Sequence, residues 1–284
     1  MKIAWGRFLL DFSRKTYVMG ILNVTPDSFS DGGLHFDASR AVERGLRMVD
    51  EGADIIDVGG ESTRPGSEPL PLAEELRRVV PVIASLSARV SVPISIDTYK
   101  AEVARRALDA GASIVNDISG LRFDRDLAKV AAERKVPLVI MHIKGSPKNM
   151  QKDPAYIDLI PEILDYLRGS ISIALKAGLP EEMIVVDPGI GFGKTFDHNL
   201  EILDNLERFA SLGRPVLVGP SRKAFIGKIL GDAPAQERVF GTAAAVTAAI
   251  LNGANIVRVH DVKEMAEVAK VADAIRKERV NSQD

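Results

Sequence analysis

One short unit recurs along this chain and limits its possible folds more than any other feature. Glu-Gly52-Ala-Asp-Ile-Ile-Asp57-Val is followed by Ala-Gly111-Ala-Ser-Ile-Val-Asn116-Asp, and later by Asn-Gly253-Ala-Asn-Ile-Val-Arg258-Val-His260. Each copy reads the same way. A helix stops at a glycine that can adopt positive φ, and a short strand of β-branched residues follows at once. A polar residue then stands near the strand's end, five positions after the glycine. Ala-Gly178 before Met-Ile-Val-Val-Asp187 is a longer variant of the same unit. The period is that of a βα repeat, not of a solenoid of identical modules.

Counting such strands gives eight candidates, at about 17–23, 54–58, 93–97, 113–117, 137–142, 183–187, 215–219 and 255–260. Helical stripes lie between them: Leu72, Leu76, Val79, Val80 and Ile83; Ile160, Ile163, Leu164, Leu167, Ile171, Ala174 and Leu175; Met265, Val268, Ala269, Ala272 and Ile275. Eight strands alternating with helices predict an α/β fold, a (β/α)8 TIM barrel. A doubly wound open sheet is the alternative, but Asn23-Val-Thr-Pro is not the Gly-rich first turn such a sheet uses for dinucleotides. The first dozen residues, with Trp5, Phe8 and Phe12, are expected to form a short N-terminal hairpin closing the bottom of the barrel. No linker or low-complexity run divides the chain, so residues 1–284 are expected to form a single domain.

Composition excludes several function classes. A formal net charge of -2 gives neither a footprint for nucleic acid nor a polybasic patch for a membrane. With no cysteine there is no disulfide, thiolate metal ligand or cysteine nucleophile, which fits a reducing compartment. MKIAWGRFLLDF has no long apolar core and no small-residue cleavage site, so no signal peptide is expected. No apolar run approaches the roughly 18 residues of a membrane span. The expectation is a cytoplasmic enzyme.

The stretch from Tyr17 to Gly33 looks like part of a site. It starts as a nearly continuous apolar strand, ends in the amide of Asn23, and enters a turn-rich polar loop with one aromatic, Phe29. Barrel enzymes carry their chemistry at the C-terminal ends of strands. Here those ends hold Asn23, Asp57, Asp97, Asn116, Met141-His142, Asp187, Gly219-Pro-Ser221-Arg222-Lys223, and Arg258 with His260. Any one can be a solvated end or a helix cap, and Asp97 and Asp117 are fair cap candidates. Together they sort by sign. Asp97, Asn116 and Asp187 suit a flat heterocycle with N–H donors along one edge. Thr63, Arg64, Lys223, Arg258 and His260 suit phosphate or pyrophosphate, and the helix following His260 would add its first amides. Asn23 offers a neutral oxygen to Mg²⁺, which takes few protein ligands. The four histidines are too scattered for a zinc site.

These residues resemble the dihydropteroate synthases of the folate pathway, a family of pterin-binding TIM barrels. NVTPDSFSDGG at 23–33 and DVGGESTRPG at 57–66 are similar to the family's two mobile loops. SIDTYK at 95–100, VNDISG at 115–120, MHIKGSPKNMQ at 141–151, DPGIGFGK at 187–194, GPSRKAFIG at 219–227 and VRVHDV at 257–262 follow in the family's order. The resemblance implies condensation of p-aminobenzoate with a dihydropterin methyl pyrophosphate, giving dihydropteroate and pyrophosphate. It implies that Asp97, Asn116, Asp187 and Lys223 hold the pterin, and that Arg258 stacks on its ring and binds pyrophosphate with His260. Lys223, Arg258, Asp97 and Asp187 form the implied catalytic set. Asn23 would bind the Mg²⁺ on the leaving group. Thr63, Arg64, Ser221, Phe192 and Phe29 would shape the p-aminobenzoate pocket, where sulfonamides would compete.

No residue reads as an activated nucleophile; in this reaction the aniline nitrogen plays that part. The protein needs to ease departure of a charged leaving group, tolerate positive charge on the pterin methylene, with Asp27 or Asp31 as loop candidates, and exclude water. Gly32 and Gly33 would lie near the hinge of the closing loop. A pterin-dependent methyltransferase and a non-catalytic pterin-binding paralogue are the rival readings. Finally, TAAAVTAAI at 242–250 is rich in small residues. It fits either tight packing within one barrel or a subunit interface, and a homodimer is expected.

Overall fold

Valine and isoleucine runs buried on both faces build the inner layer. The computed structural model describes residues 1–24 and 34–281. In chain order it contains β1 (Lys2–Trp5), β2 (Phe8–Asp11), β3 (Tyr17–Asn23), α1 (Leu34–Asp50), β4 (Ile55–Gly59), α2 (Leu72–Ser87), β5 (Ile94–Asp97), α3 (Ala101–Asp109), β6 (Ile114–Asp117) and α4 (Leu127–Arg134). Then come β7 (Leu138–Met141), α5 (Leu159–Lys176), β8 (Ile184–Asp187), α6 (Phe196–Asp204), β9 (Leu217–Val218), α7 (Ala224–Ile229), α8 (Val239–Leu251), β10 (Ile256–Val259) and α9 (Val262–Asn281).

Among the described residues eight strands run parallel, in the order β8-β7-β6-β5-β4-β3-β10-β9. Val186 pairs with Val216 just ahead of β9, which closes the ring. This is the expected (β/α)8 barrel, and the open-sheet alternative falls with the closure. Helices cover its outside, as parallel strands require. The repeating unit works as its residues suggest: Gly52, Gly111 and Gly253 stand at φ of 103°, 110° and 105°, and Gly178 at 90°. There the chain leaves a helix and turns into the next strand without the Cβ penalty of that region.

The helical stripes pack inward, with Val79, Val82, Ile83 and Leu86 of α2 fully buried, as are Ile160, Ile163 and Leu167 of α5. Leu72, Leu175 and Ile275 depart from the expectation and are exposed. All three sit toward helix ends. A helix of 20 residues such as α9 spans about 30 Å, far more than strands of four residues can cover. The lower half of α9 is tied down instead by Asp273, whose carboxylate accepts the N–H and Oγ1–H of Thr16 at 2.7 and 2.8 Å.

The expected N-terminal hairpin is β1–β2, antiparallel, with Trp5 opposite Phe8. Ile3, Trp5, Leu10 and Phe12 join the main core. Arg7 Nη2 donates to Val90 O, ahead of β5, and Asp11 N–H donates to Tyr17 Oη at the start of β3. The hairpin therefore plugs the N-terminal end of the barrel and leaves the other end to the βα loops. At that other end a second apolar cluster gathers Ile118, Met141, Ile143, Met150 and Phe192.

Candidate active site

Register sets the polar strand ends at one level. Asp97 pairs with Gly59 on one side and Asn116 on the other, Met141 pairs with Asp187, and Asn23 with Gly59. The three polar residues that stand five places after the repeat glycines converge. Arg258 Nε donates to Asp57 Oδ2 at 2.6 Å, and Asn116 Nδ2 donates to the same oxygen at 3.0 Å. Arg258 Nη2 donates to Asp97 Oδ2 at 2.6 Å. Burial pushes the Asp97 carboxyl up to about 7, with Arg258 opposing the shift and Asp57 adding to it. Burial disfavours the Arg258 cation, but Asp57 and Asp97 outweigh it and hold its pKa above the ordinary value. Asp57 is wholly buried, and its Oδ1 makes no hydrogen bond.

A second group surrounds Asp187. Its carboxylate accepts the N–H of Gly189 at 2.7 Å, and burial pushes it up to about 6 against that bond. Gly189 has φ of 74°, and a Cβ there would fall 1.9 Å from His142 O. Only glycine lets this turn pass so close to the end of β7. The same carbonyl accepts from Lys194 Nζ at 3.2 Å, and Lys194 Nζ lies 2.7 Å from His142 Nδ1. Burial drives Lys194 well below the usual lysine range and His142 down to about 2. Lys223 Nζ stands 4.2 Å from the centroid of the buried Phe192 ring. Burial and then Arg258 lower it to about 8.

The donor half lies across the mouth. The Ser221 hydroxyl accepts the main-chain N–H of His260 at 3.1 Å and meets His260 Nδ1 at 3.0 Å. A bond donated by the Ser221 hydroxyl to Nδ1 leaves the imidazole proton on Nε2, whereas the other tautomer donates Nδ1–H to the same oxygen. Burial, followed by the cations Arg258 and Arg222, lowers His260 to about 3, so the ring is neutral. Arg222, at φ of 57°, is braced by an ion pair with Asp261, by Thr242 Oγ1 on its N–H and by Arg238 Nη1 on its carbonyl. The first turn of α9 follows directly after Asp261 and turns its N-terminus to the same place.

The structure brings Asp97, Asn116, Asp187, Lys223, Arg258, Ser221, His260 and Phe192 to one end of the barrel. Asn23 is there too, half-buried at the tip of β3. Thr63 and Arg64 lie in the loop between β4 and α2, half-buried and exposed respectively; that loop is pinned to the loop after β7 by Gly66 N–H on Pro147 O at 2.9 Å. Phe29, Asp27, Asp31, Gly32 and Gly33 lie outside the described residues. Two details depart from the sequence reading. Asp97 caps no helix: Thr98 Oγ1 takes the N–H of Lys100, and Asp124 takes that of Ala101. Asp117 caps a turn, accepting from Ser119 and Leu121. The sequence reading counts Asp57 among the polar strand ends but gives it no ligand, and it gives Lys194 and Thr242 no role. The repeat itself held the signal for Asp57, since it occupies the same place as Asn116 and Arg258.

Among the described residues no cluster of three His, Cys, Asp or Glu side chains is arranged to hold a metal ion. Asn23 alone offers one neutral oxygen, a donor set that fits Mg²⁺ arriving on a diphosphate, with water and phosphate oxygens completing its shell.

Comparisons with known proteins give the chain its relatives. The family described as "Pterin binding enzyme" matches residues 19–260. The chain is 52% identical over 270 residues to the dihydropteroate synthase of Synechocystis sp., covering 95% of this chain and 93% of that one. Its structure is similar to that of the Yersinia pestis dihydropteroate synthase in complex with a sulfonamide drug, with a TM-score of 0.91, 43% identity, and coverage of 98% and 99% of the two chains. It is also similar to the Xanthomonas albilineans dihydropteroate synthase with 4-aminobenzoic acid, with a TM-score of 0.88, 44% identity, and coverage of 94% and 95%.

Proposed function

This chain belongs to the pterin-binding enzyme family, among the dihydropteroate synthases, and from that premise we propose how its residues divide the work. The reaction joins p-aminobenzoate to (7,8-dihydropterin-6-yl)methyl diphosphate. The C–N bond to the aniline nitrogen forms, the C–O bond to diphosphate breaks, and 7,8-dihydropteroate results.

Asp97, Asn116 and Asp187 receive the N–H edge of the pterin, and Lys223 donates to the ring's acceptors. The observation that carries the assignment is the pairing of this acceptor set with the Ser221–His260–Arg258 donor set at one barrel end. Arg258 spans the two halves. It is close enough to Asp97 to share the pterin pocket and its charge is firmly held, so it is suited to stack on the ring and to face the diphosphate. The neutral His260 ring, with its proton assigned to Nε2 in this proposal, serves as a hydrogen-bond donor to a departing diphosphate oxygen, and the α9 amides add to that field. When bound, Mg²⁺ neutralises charge on the leaving group, and Asn23 is the residue that would hold it.

Thr63, Arg64, Ser221, Phe192 and Phe29 border the p-aminobenzoate pocket in this assignment, and sulfonamides compete there. The Phe29 role rests on the family resemblance alone. The same proposal includes a homodimer and a cytoplasmic location. Exposed Phe240 on α8, with Ile229 at the end of α7 and Leu230 just after it, supports an apolar subunit contact. A methyl-transferring relative has no use for an anion site at Ser221 and His260, which favours the synthase.

The test supplies the pterin diphosphate and Mg²⁺ and follows diphosphate release with p-aminobenzoate added or withheld. Release that depends on p-aminobenzoate, matched by dihydropteroate, is the expected result. Pterin binding without turnover would refute the assignment of the donor half.

A further inference from the structure

The loop between β4 and α2 carries Thr63 and Arg64, and both of its roots are held by one amino group. Lys100 Nζ donates to Glu61 Oε2 at 2.5 Å, to the main-chain oxygen of Leu70 at 2.6 Å and to Glu75 Oε2 at 2.6 Å. An ammonium has three N–H donors, and all three are used. Glu61 stands at the exit of β4 and Leu70 just ahead of α2. Residues 62–69 therefore form a span whose two ends are fastened to the same nitrogen.

Neighbouring bonds stiffen the knot. Tyr99 Oη donates to Glu61 Oε1 at 2.7 Å, Thr98 Oγ1 donates to Glu75 Oε1 at 2.7 Å, and Arg78 Nη1 donates to Gly60 O at 3.0 Å. The side chains of Lys100, Glu61 and Glu75 are only 18%, 7% and 1% exposed, so water and salt screen these ion pairs little. Exposed pairs contribute almost nothing to a fixed geometry; a shielded, fully bonded set of this kind does.

The position of Lys100 in the chain gives the knot a use. It follows Asp97 by three residues, and Thr98 N–H between them donates to Asn116 O at 3.0 Å. The strand end that offers the Asp97 carboxylate to the pterin, tied to the neighbouring strand at Asn116, is thus continuous with the group that fixes the loop.

We infer that Lys100 is a positioning residue that sets the Thr63–Arg64 loop against Asp97 and so aligns the p-aminobenzoate half of the site with the pterin half. The inference rests on the assignment of Thr63 and Arg64 to p-aminobenzoate. A cluster that only fastened α2 to the barrel would change stability and touch both substrates alike; a positioning role separates them.

The experiment measures steady-state diphosphate release for the full chain, varying each substrate in turn, for wild type, Lys100→Met and Glu61→Gln. Wild-type release without dependence on p-aminobenzoate would sink the functional reading itself. Given a normal wild type, Lys100→Met is expected to raise KM for p-aminobenzoate about tenfold and to change KM for the pterin diphosphate less than about twofold. Glu61→Gln removes one anchor but keeps the neutral hydrogen bonds, so a smaller rise of about threefold is expected. Should Lys100→Met fail to fold, Glu61→Gln decides. A p-aminobenzoate KM equal to that of wild type, or equal rises for both substrates, overturns the inference.

Discussion

Arg258 Nη2 donates to Asp97 Oδ2 at 2.6 Å while its Nε donates to Asp57 at 2.6 Å, so one guanidinium ties a carboxylate assigned to substrate to one that is wholly buried. Asp57 is then the anchor that aims Arg258. Asp57→Asn is expected to lower kcat/KM for the pterin diphosphate by tenfold or more, about 1.4 kcal/mol of transition-state stabilisation, with KM for p-aminobenzoate little changed. Kinetics with each substrate varied check this, and an unaltered kcat/KM would remove Asp57 from the site.

Pterin binding should depend on pH through two carboxyls. Asp97 is pushed up to about 7 and Asp187 to about 6 by burial. Protonation turns an acceptor oxygen into a donor, which faces the ring N–H groups badly. Pterin affinity is therefore expected to rise from pH 5 through about 7 and to level off above it. Calorimetric titrations across that range test the profile, and a flat one would exclude both groups.

Asp187→Asn separates binding from stability. The Asn side-chain oxygen can still accept from Gly189, but the variant mispairs the ring donors, so pterin binding is expected to weaken by about 2 kcal/mol or more. Folding goes the other way. Burial on folding pushes the Asp187 carboxyl from the ordinary aspartate value of 3.8 up to about 6. Between those values the folded state holds the extra proton, so this group's contribution falls as pH rises from 3.8 to 6, and its cost is complete above that. Removing it should leave the melting temperature at about pH 8 unchanged or raised. A lower melting temperature with intact pterin affinity would contradict both halves.

Gly189→Ala should be severe. The new Cβ would meet His142 O at 1.9 Å, on a backbone at φ of 74°. Relief requires moving the turn that donates to Asp187, so a loss of about 3 kcal/mol in stability and loss of pterin binding are expected. Chemical denaturation and calorimetry measure the two.

The subunit contact is tested by charge. Phe240 is 86% exposed at the start of α8. Phe240→Glu is expected to shift a dimer to monomer in sedimentation at micromolar concentration, with the melting transition still cooperative. A wild type that is itself monomeric would refute the dimer.

Much of this architecture is written locally. β-branched runs after glycines mark the strands, and the place five residues beyond each glycine marks Asp57, Asn116 and Arg258. What could not be read is which of these groups meet. Arg258 and Asp57 are 201 residues apart, and Lys194 reaches His142 across 52. Such pairings depend on barrel closure and on side-chain direction, which no window of sequence contains. TAAAVTAAI illustrates the limit from the other side. Its Thr242, Ala245, Val246 and Ala249 are buried against this chain's own barrel, and Thr242 braces Arg222 at the site, a role that small-residue composition does not signal.

The Lys194–His142 pair has a chemical consequence of its own. Burial favours the uncharged form of this amine, the form that attacks acylating reagents, yet only 2% of Lys194 is exposed. The environment that makes this nitrogen reactive also hides it. Its rate of covalent labelling therefore reports how often the turn from Asp187 to Lys194 opens, a clock for local motion at the pterin wall that needs no engineered side chain.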